Sequence, residues 1–500
     1  MIVDNDLLSM QHARIISENA LEAQKILATF TQEKLDVIVN AIADATEKHL
    51  HSLAVMSHEE TDSGNCPDKL KKNQFVCGQV REQLNSMRCV GIIAEDPLAH
   101  TMEIGVPVGV IVALCPVTSP VSTTIFKTLL AVKSANAILF SPHPGAVQCI
   151  SQVLDIMIKA AEASGLPEGC ISYLKPVSKS GTKELMSHPA TALVMITGVA
   201  GMINAAKASG KPVIWGGTGN GPAFIERSAN IEQAVADIIA SKTFDNGIAP
   251  SAEQSIVADA CIADKVRQVL REKGAYFMSD SESRKLAALF FSADGKRRKG
   301  LLGLSAQELA KRADFSLAKD TKLLIAERKY VSASDPYSRE LLAPVLALYV
   351  EDDWLHACEK CIELLLHERN AHTLVIHSGD QEIIKQFALK KPVARLLVNT
   401  PASLGGMGIT TNLFPSMILG CGSTGHGITS ENVSPMNLIY KRTVGCGVRQ
   451  MDQPLEEEIN RTRNSPDFST EVNAESSDKA DILQHILTEA IKALSAPADR

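Results

Sequence analysis

Hydrophobic residues recur every three or four positions through the first 90 residues of the chain. This spacing runs through residues 20–30, 33–50 and 51–61, with polar side chains between the apolar ones. A period of about 3.6 residues places the apolar side chains along one face of an α-helix. The N-terminal part of the chain is therefore predicted to consist mostly of amphipathic helices.

The pattern changes near residue 108. A continuous apolar run over 108–114 is followed by a loop rich in Pro, Ser and Thr, a helical pattern over 122–133 and a second apolar run over 137–141. Two buried strands joined by a helix form a parallel βαβ unit. The alternation continues to about residue 215 and resumes over 230–419. The predicted fold class is α/β, with two Rossmann-like, doubly wound lobes.

Composition and charge exclude several classes of protein. The chain has 500 residues and a formal net charge of −7, and no dense stripe of Lys and Arg suggests a nucleic-acid partner. No apolar run approaches the roughly 18 residues of a membrane helix, and the N-terminus lacks the apolar region of a secretory signal. The 11 cysteines follow no disulfide framework, which suits reduced thiols in a cytoplasmic protein.

One cysteine pair raises the question of a metal site. Cys358 and Cys361 lie in a stretch with helical apolar spacing, and no second pair accompanies them. His367, His372 and His377 follow at intervals that do not share one helical face. Two thiols on one side of a helix explain the pair better than zinc does, so no metal is predicted.

Two glycine-bearing loops follow predicted strands. Thr197, Gly198 and Gly201 lie between a strand and a helix, where glycine lets a phosphate approach the backbone. The second loop, GGTGNG at residues 216–221, fits either a tight turn between strands or a close approach to a ligand. The spacing alone does not choose between these two.

Seven motifs then occur in one order along the chain. They read PVTSPVSTTIFK, ILFSPHP, SGKPVIWGGTGNGP, SKTFDNG with EQSIV, ELLAPVLALY, ARLLVNTPASLGGMG and LGCGSTGHGITSENVSPMNL. With these motifs, which cover about residues 33–449, the chain resembles the CoA-acylating branch of the aldehyde dehydrogenase superfamily. Within that branch it is most similar to the acetaldehyde dehydrogenases encoded with choline-degrading bacterial microcompartments.

The resemblance implies the aldehyde dehydrogenase fold and the reaction acetaldehyde + CoA + NAD⁺ → acetyl-CoA + NADH, with NADP as the alternative cofactor. In the family a cysteine thiolate attacks the aldehyde, and an asparagine amide and a backbone N–H hold the oxyanion. Hydride transfer then leaves a thioester that CoA takes up. In hydrolytic relatives a glutamate activates water, and the residue that matches it here is approximately Gly216. Because glycine offers no base to water, transfer of the acyl group to a thiol is expected.

The resemblance also assigns cofactor-binding residues, which comprise a segment along the adenosine ribose, a turn beneath the pyrophosphate, a loop glycine and a glutamate facing the nicotinamide ribose. The adenosine-ribose segment is Ser141, Pro142 and His143, and the pyrophosphate turn is Thr197, Gly198 and Gly201. The loop glycine is Gly217, and the glutamate is Glu340.

The chain departs from the family at two catalytic positions. The cysteine position holds Pro250, which has no nucleophilic group and no backbone N–H. The oxyanion asparagine is replaced by Ser119, whose hydroxyl can still donate one hydrogen bond. Loss of both groups together is expected where a function has been relaxed or redirected.

Three accounts follow from these departures. In the first, Cys115 or Cys421 has taken over as the nucleophile, with Ser119 as the oxyanion donor, although a free cysteine is most often a small buried hydrophobe. In the second, the chain is a catalytically silent subunit that binds a cofactor or docks to a shell. In the third, a carbonyl is oxidised or reduced without a covalent thioester. The retained cofactor motifs favour aldehyde chemistry.

The predicted domain organisation follows the family. It comprises residues 1–229 as an NAD(P)-binding lobe with N-terminal helices and an oligomerisation hairpin near 95–108, 230–430 as the catalytic and CoA-substrate lobe, 431–450 as a return strand of the core, 451–477 as a flexible linker, and 478–495 as an amphipathic helix. The hairpin implies a homo-oligomer, either a dimer or a tetramer.

The last segment resembles an encapsulation peptide. Asp478 can cap a helix whose apolar residues, among them Ile482, Ile486 and Leu494, share one face. Such a helix either folds back on its own chain or docks on a shell protein. The second reading places the protein in the cytoplasm, inside a bacterial microcompartment, with a small aldehyde as substrate.

Overall fold

A computed structural model describes residues 4–292, 298, 300–367, 372–425 and 427–449. Among these residues, one compact unit comprises those up to Glu95 together with Met102–Thr443, and a second unit comprises Asp96–Thr101 and residues 444–449. The predicted linker at 451–477 and the predicted helix at 478–495 lie outside the described residues.

The α-helices of the described residues are α1 Asn5–Leu27, α2 Gln32–Glu47, α3 Leu50–Thr61, α4 Cys66–Phe75, α5 Arg81–Asn85, α6 Pro120–Lys133, α7 Val147–Ala163, α8 Lys179–Ser187, α9 Ile203–Ala208, α10 Ile231–Thr243, α11 Ala263–Glu272, α12 Asp280–Phe290, α13 Ala306–Arg312, α14 Trp354–His367, α15 Gln381–Leu389 and α16 Ala402–Gly406. The strands are β1 Gly91–Asp96, β2 Thr101–Pro107, β3 Val110–Leu114, β4 Ala137–Ser141, β5 Ile171–Tyr173, β6 Thr191–Ile196, β7 Val213–Trp215, β8 Pro222–Ile225, β9 Ser255–Asp259, β10 Ala275–Phe277, β11 Leu323–Glu327, β12 Val345–Glu351, β13 Thr373–His377, β14 Arg395–Val398 and β15 Ile439–Gly445.

The predicted N-terminal helices are confirmed as α1 to α5. Asp4 caps α1 by accepting from the backbone N–H groups of Asp6 and Leu7, and Thr31 caps α2 by accepting from Lys34. Side-chain oxygens at these positions satisfy N–H groups that have no partner inside the helix. These two polar residues therefore mark where α1 and α2 begin.

The predicted βαβ unit is confirmed by a five-stranded parallel sheet. Its order is β5-β4-β3-β6-β7, so the chain runs outward from β3 in one direction and from β6 in the other. The last residues of the two central strands, Leu114 and Ile196, are partners in the ladder. Ligands of open α/β sheets bind outside the carboxyl ends of strands at such a reversal.

A second, seven-stranded parallel sheet has the order β10-β11-β12-β9-β8-β13-β14. Its strands are almost wholly buried, and they carry the continuous apolar runs expected of a parallel sheet covered on both faces. The two parallel sheets confirm the predicted α/β class with two lobes. The exact domain boundaries stay a prediction.

A third sheet has the order β1-β2-β15. It contains the hairpin predicted near residues 95–108 and the return strand predicted within 431–450. The role of this sheet in oligomerisation stays a prediction. No helix among the described residues is long and apolar enough to cross a membrane.

Candidate active site

A cavity of about 80 Å³ opens at the reversal point of the five-stranded sheet. Because β3 and β6 end side by side, the loops that follow them bring Ser119 and Thr197 to the same cavity. Gly217, which follows β7, lines it as well. The carboxyl ends of three neighbouring strands thus form one side of the site.

The other side of the cavity is formed by residues that precede strands of the seven-stranded sheet, at the amino ends of those strands. Pro250 lies shortly before β9, and His372 lies immediately before β13. Both strands flank β8, which follows the glycine loop at the end of β7. The cavity therefore lies between the two sheets within the first compact unit, and Met407, Met417 and Leu419 make much of its lining apolar.

The glycine loop at residues 216–221 packs against the segment that holds Pro250. A Cβ atom added to Gly219 would lie 1.6 Å from the carbonyl oxygen of Pro250, so only glycine fits there. The backbone N–H of Gly219 donates to Glu340 Oε1 at 2.8 Å. Gly219 is therefore required by the close approach of the Pro250 backbone, whereas Gly216 and Gly217 line the cavity.

Ser119 is the N-cap residue of α6 and is held by a lysine. Lys72 Nζ donates to Ser119 Oγ at 2.6 Å and also binds the carboxylate of Asp245. Lys69, three residues earlier on the same face of α4, donates to the carbonyl oxygen of Thr118 at 2.9 Å. The structure thus places an ammonium group against the Ser119 hydroxyl, whose oxyanion role stays a prediction.

The FDNG motif fixes this lysine cluster. Asp245 and Asn246 both have a left-handed backbone, with φ of 47° and 55°, which costs free energy unless surrounding contacts impose it. Asp245 Oδ1 accepts from the backbone N–H of Asn65 at 2.7 Å, and the Asn246 amide donates to the Gly303 carbonyl at 2.8 Å. Burial, together with the nearby Lys72 charge, lowers the pKa of Lys69 to about 8.

His372 lines the cavity, although its sequence context suggests no role other than the excluded zinc site. Its Nδ1 lies 2.7 Å from Thr373 Oγ1 and 3.4 Å from Arg395 Nη1. A guanidinium can only donate, so Nδ1 is assigned as an acceptor and the ring proton lies on Nε2. Burial lowers the pKa of His372 to about 3, which keeps the ring neutral at pH 7.

The two predicted replacement nucleophiles are buried away from the cavity lining. Thr124 Oγ1 donates to Cys115 Sγ at 3.3 Å, and Cys421 Sγ contacts the carbonyl oxygens of Trp215 and Gly425, each at 3.4 Å. Burial raises the pKa of both thiols, which disfavours the reactive thiolate. No cysteine is among the described residues that line the cavity. A nucleophilic role for either thiol stays a prediction that these contacts do not support.

The predicted cofactor residues fall into two groups. Thr197, Gly198 and Gly217 line the cavity. Gly198 has φ of 66°, and a Cβ there would lie 2.5 Å from Pro116 Cβ, so this turn requires glycine for a steric reason. Thr197 Oγ1 is buried without a hydrogen-bond partner among the described residues.

The remaining cofactor candidates are outside the described lining of the cavity. Ser141 ends β4 and shares a 2.8 Å hydrogen bond with Thr182, while the half-buried His143 accepts from the backbone N–H of Gly145 at 3.0 Å. Pro142 lies between them in the same segment, and no atom lies within 4 Å of the position that a Cβ on Gly201 would take. Their cofactor roles, and that of the buried Glu340, stay predictions.

Comparisons with known proteins decide the family. A model described as the aldehyde dehydrogenase family matches residues 4–288. The chain belongs to the aldehyde dehydrogenase family. The bifunctional aldehyde-alcohol dehydrogenase of Escherichia coli (strain K12) is 38% identical over 439 residues, which are 87% of this chain and 49% of that protein. The chain thus spans about half the length of the curated relatives it matches first.

Solved structures agree with this aldehyde dehydrogenase assignment. An acetylating aldehyde dehydrogenase from Geobacillus thermoglucosidasius is 40% identical with a TM-score of 0.87, covering 91% of this chain and 100% of that one. A propionaldehyde dehydrogenase from the fucose-utilisation microcompartment of Clostridium phytofermentans is 26% identical with a TM-score of 0.78, covering 87% and 98%. The predicted family and fold are confirmed.

A further solved relative shows the chemistry of the acylating branch. The propionaldehyde dehydrogenase of Rhodopseudomonas palustris, 26% identical with a TM-score of 0.77 over 87% of this chain and 97% of that one, has been solved with bound CoA and an acylated cysteine. These relatives are described as enzymes, so the comparisons do not support a catalytically silent subunit.

Proposed function

We propose that this chain oxidises a short aldehyde, acetaldehyde first of all, with CoA and NAD⁺ to give the acyl-CoA and NADH. The observation that carries the proposal is the cavity at the sheet reversal, where Ser119, Thr197, Gly198 and Gly217 come together. Those four residues were assigned to catalysis or to the cofactor by the family motifs. The full-length similarity to an acetylating enzyme supports the same reaction class.

The residues present fit a nicotinamide cofactor. Thr197 Oγ1, a buried hydroxyl without a partner among the described residues, lies at the carboxyl end of β6 beside Gly198. Unsatisfied buried polar atoms are rare in folded proteins and often mark a ligand contact. Thr197 and Gly198 would hold the cofactor on one side of the cavity, and the cofactor supplies the hydride acceptor.

With proline at position 250, we infer that the thiol that attacks the aldehyde comes from outside the chain. Because no thiol is among the described residues that line the cavity, the enzyme-bound thioester of the relatives has no nucleophile there. We propose instead that the CoA thiol adds directly to the aldehyde carbon to form a thiohemiacetal. Loss of hydride to NAD⁺ and of the hydroxyl proton then gives the acyl-CoA, so the sum remains RCHO + CoASH + NAD⁺ → RCO–SCoA + NADH + H⁺.

Ser119 and His372 contribute to this route as hydrogen-bond donors. Both line the cavity, and the Nε2–H of His372 has no partner among the described residues. Donors fixed before the reaction stabilise the oxygen that becomes negative when the thiol adds. The apolar lining excludes water, which favours transfer to the thiol over hydrolysis.

The test is NADH formation by the purified protein with acetaldehyde, NAD⁺ and CoA, run beside Cys115→Ala and Cys421→Ala. We expect CoA-dependent turnover in all three proteins, and no acylated protein by mass spectrometry after quenching. Loss of turnover in one cysteine variant together with an acylated parent would replace this route by a relocated nucleophile. Absence of CoA-dependent turnover in the parent would overturn the proposed activity.

We further propose that the protein is a homo-oligomer housed in a bacterial microcompartment, with residues 478–495 as the docking segment. Support comes from the apolar stripe in that sequence and from the similarity to a microcompartment enzyme. The test compares shell co-purification of the full chain and of a chain ending at residue 477. Equal recovery of both with purified shells would contradict the docking role, and a monomeric mass by light scattering would contradict the oligomer.

A further inference from the structure

The buried groups behind Ser119 carry one positive charge in excess. Lys69 and Lys72, with side chains 3% and 5% exposed, contact a single buried carboxylate, that of Asp245. The neighbouring Asp68 does not balance the second lysine, because it pairs with the exposed Lys71 at 3.0 Å. A charge held away from water is costly unless an opposite charge accompanies it.

This excess charge reaches the cavity through Lys72 and Ser119. Lys72 lines the cavity, and its ammonium donates to Ser119 Oγ. The Ser119 hydroxyl proton has no acceptor among the described residues, and a hydrogen bond received from an ammonium makes a hydroxyl a stronger donor. Ser119 also occupies the N-cap position of α6, a helix of 14 residues, whose N-terminal end adds a partial positive charge.

The opposite wall offers a second, independent donor. His372 is 1% exposed, and its Nε2 has no hydrogen-bond partner among the described residues. Since Nδ1 accepts from Arg395, Nε2 carries the proton, and no carboxylate is among the described residues that line the same cavity. The polar groups of this cavity are therefore matched by a ligand with negatively charged oxygens.

The rest of the lining limits the size and nature of that ligand. Pro116, Ile248, Met407 and Leu419 give apolar walls, and about 80 Å³ of space leaves room for only a few heavy atoms. A hydrated inorganic anion would lose its water against such walls without replacement. A short aliphatic chain ending in a carboxylate satisfies both the donors and the apolar walls.

We infer that this cavity is a binding site for a short-chain carboxylate, such as propionate, held by Ser119 and His372 and charge-balanced by Lys72 and Lys69. The inference goes beyond the proposed reaction, because it concerns binding without turnover. Ligand binding and NADH formation are measured separately, so either result can fail without the other.

The test is isothermal titration calorimetry of the full chain with propionate at constant ionic strength, with neutral propionamide as the isosteric control. We expect saturable binding of propionate and at least tenfold weaker binding of propionamide. Lys72→Met should weaken propionate binding at least tenfold, whereas Asp245→Asn, which raises the excess charge, should tighten it. Lys71→Met is the matched control on the exposed face of the same helix and should leave the affinity unchanged.

Ser119→Ala distinguishes a loss of propionate binding from a loss of the fold. It leaves every charge in place, and we expect it to weaken propionate binding severalfold while the melting temperature stays near that of the parent. Equal affinity for propionate and propionamide, or unchanged affinity in both Lys72→Met and Ser119→Ala, would overturn the inference. So would a loss of affinity in Lys71→Met as large as in Lys72→Met.

Discussion

The carbonyl oxygen of Pro250 occupies the space that a side chain at Gly219 would need. A Cβ at Gly219 would lie 1.6 Å from that oxygen, although the φ angle of Gly219 lies outside the left-handed region. The constraint is therefore one of space and not of backbone conformation. This contact fixes the segment that holds Pro250 against the loop whose Gly219 N–H donates to Glu340.

Gly219→Ala is expected to destabilise the protein by about 1–3 kcal/mol, the usual cost of overpacking a close contact. The added methyl group must displace the backbone of Pro250, so CoA-dependent turnover should fall as well. Urea denaturation gives the free energy of unfolding. Gly201→Ala is the matched control, because no atom lies within 4 Å of the position that its Cβ would take. Equal unfolding free energies for the two variants would contradict this account.

Pro250→Cys is expected to create an acyl-enzyme that the parent does not form. The substitution places a thiol in a cavity lined by the donors Ser119 and His372, and thiolates attack aldehydes readily. After incubation with acetaldehyde and NAD⁺ but no CoA, mass spectrometry should detect one added acetyl group. Pro250→Ala, which also removes the ring but supplies no thiol, should remain unmodified. An unmodified cysteine variant with an intact fold would show that the cavity no longer presents the aldehyde to this position.

The fold could be predicted from the sequence because its signals are local. Amphipathic periods predicted the N-terminal helices, and the two apolar runs around α6 predicted the parallel strands β3 and β4 within a few residues. The start of α2 agrees with the prediction within one residue, whereas α1 begins at Asn5, well before the predicted stretch at 20–30. Such features depend on neighbours in the chain and not on distant contacts.

The site could be predicted only in part because its decisive contacts are distant in sequence. The position of Ser119 was found from a motif, but its partner Lys72 lies 47 residues earlier on α4 and carries no recognisable signal. The sequence does not predict His372 as a site residue, because nothing in its spacing shows that β13 begins beside the cavity. Burial of Cys115 and Cys421, which decides whether their thiols can react, is likewise a tertiary property.

His372→Ala is expected to lower kcat/KM for the CoA-dependent reaction by about 10²–10³-fold, the usual effect of removing one donor to a developing oxyanion. His377→Ala is the matched control, since His377 is also buried, ends the strand β13 that begins just after His372, and is outside the cavity lining. Both variants remove a buried imidazole, so both should lose similar stability in a thermal melt. Equal losses of kcat/KM would show that His372 acts through the fold and not on the substrate.

Glu253 is expected to make the protein less stable as the pH rises from about 4.5 to 7. Burial raises the pKa of this carboxyl from 4.5 to about 7, and its Oε2 has no hydrogen-bond partner among the described residues. Between these values the folded state holds a proton that the unfolded state has released. The free energy of unfolding therefore falls with rising pH, by up to about 3 kcal/mol in total.

Glu253→Gln should remove this dependence. The amide is neutral at every pH and can still accept from the backbone N–H of Ala402, which donates to Glu253 Oε1 at 2.9 Å. The variant is expected to match the parent at pH 4.5 and to exceed it in unfolding free energy at pH 8, as measured by urea denaturation at both pH values. Glu59→Gln, at an exposed position, should follow the parent throughout. A parent whose stability is the same at pH 4.5 and pH 8, or a Glu253→Gln protein that is less stable than the parent at pH 8, would show that the buried carboxylate is compensated by its surroundings.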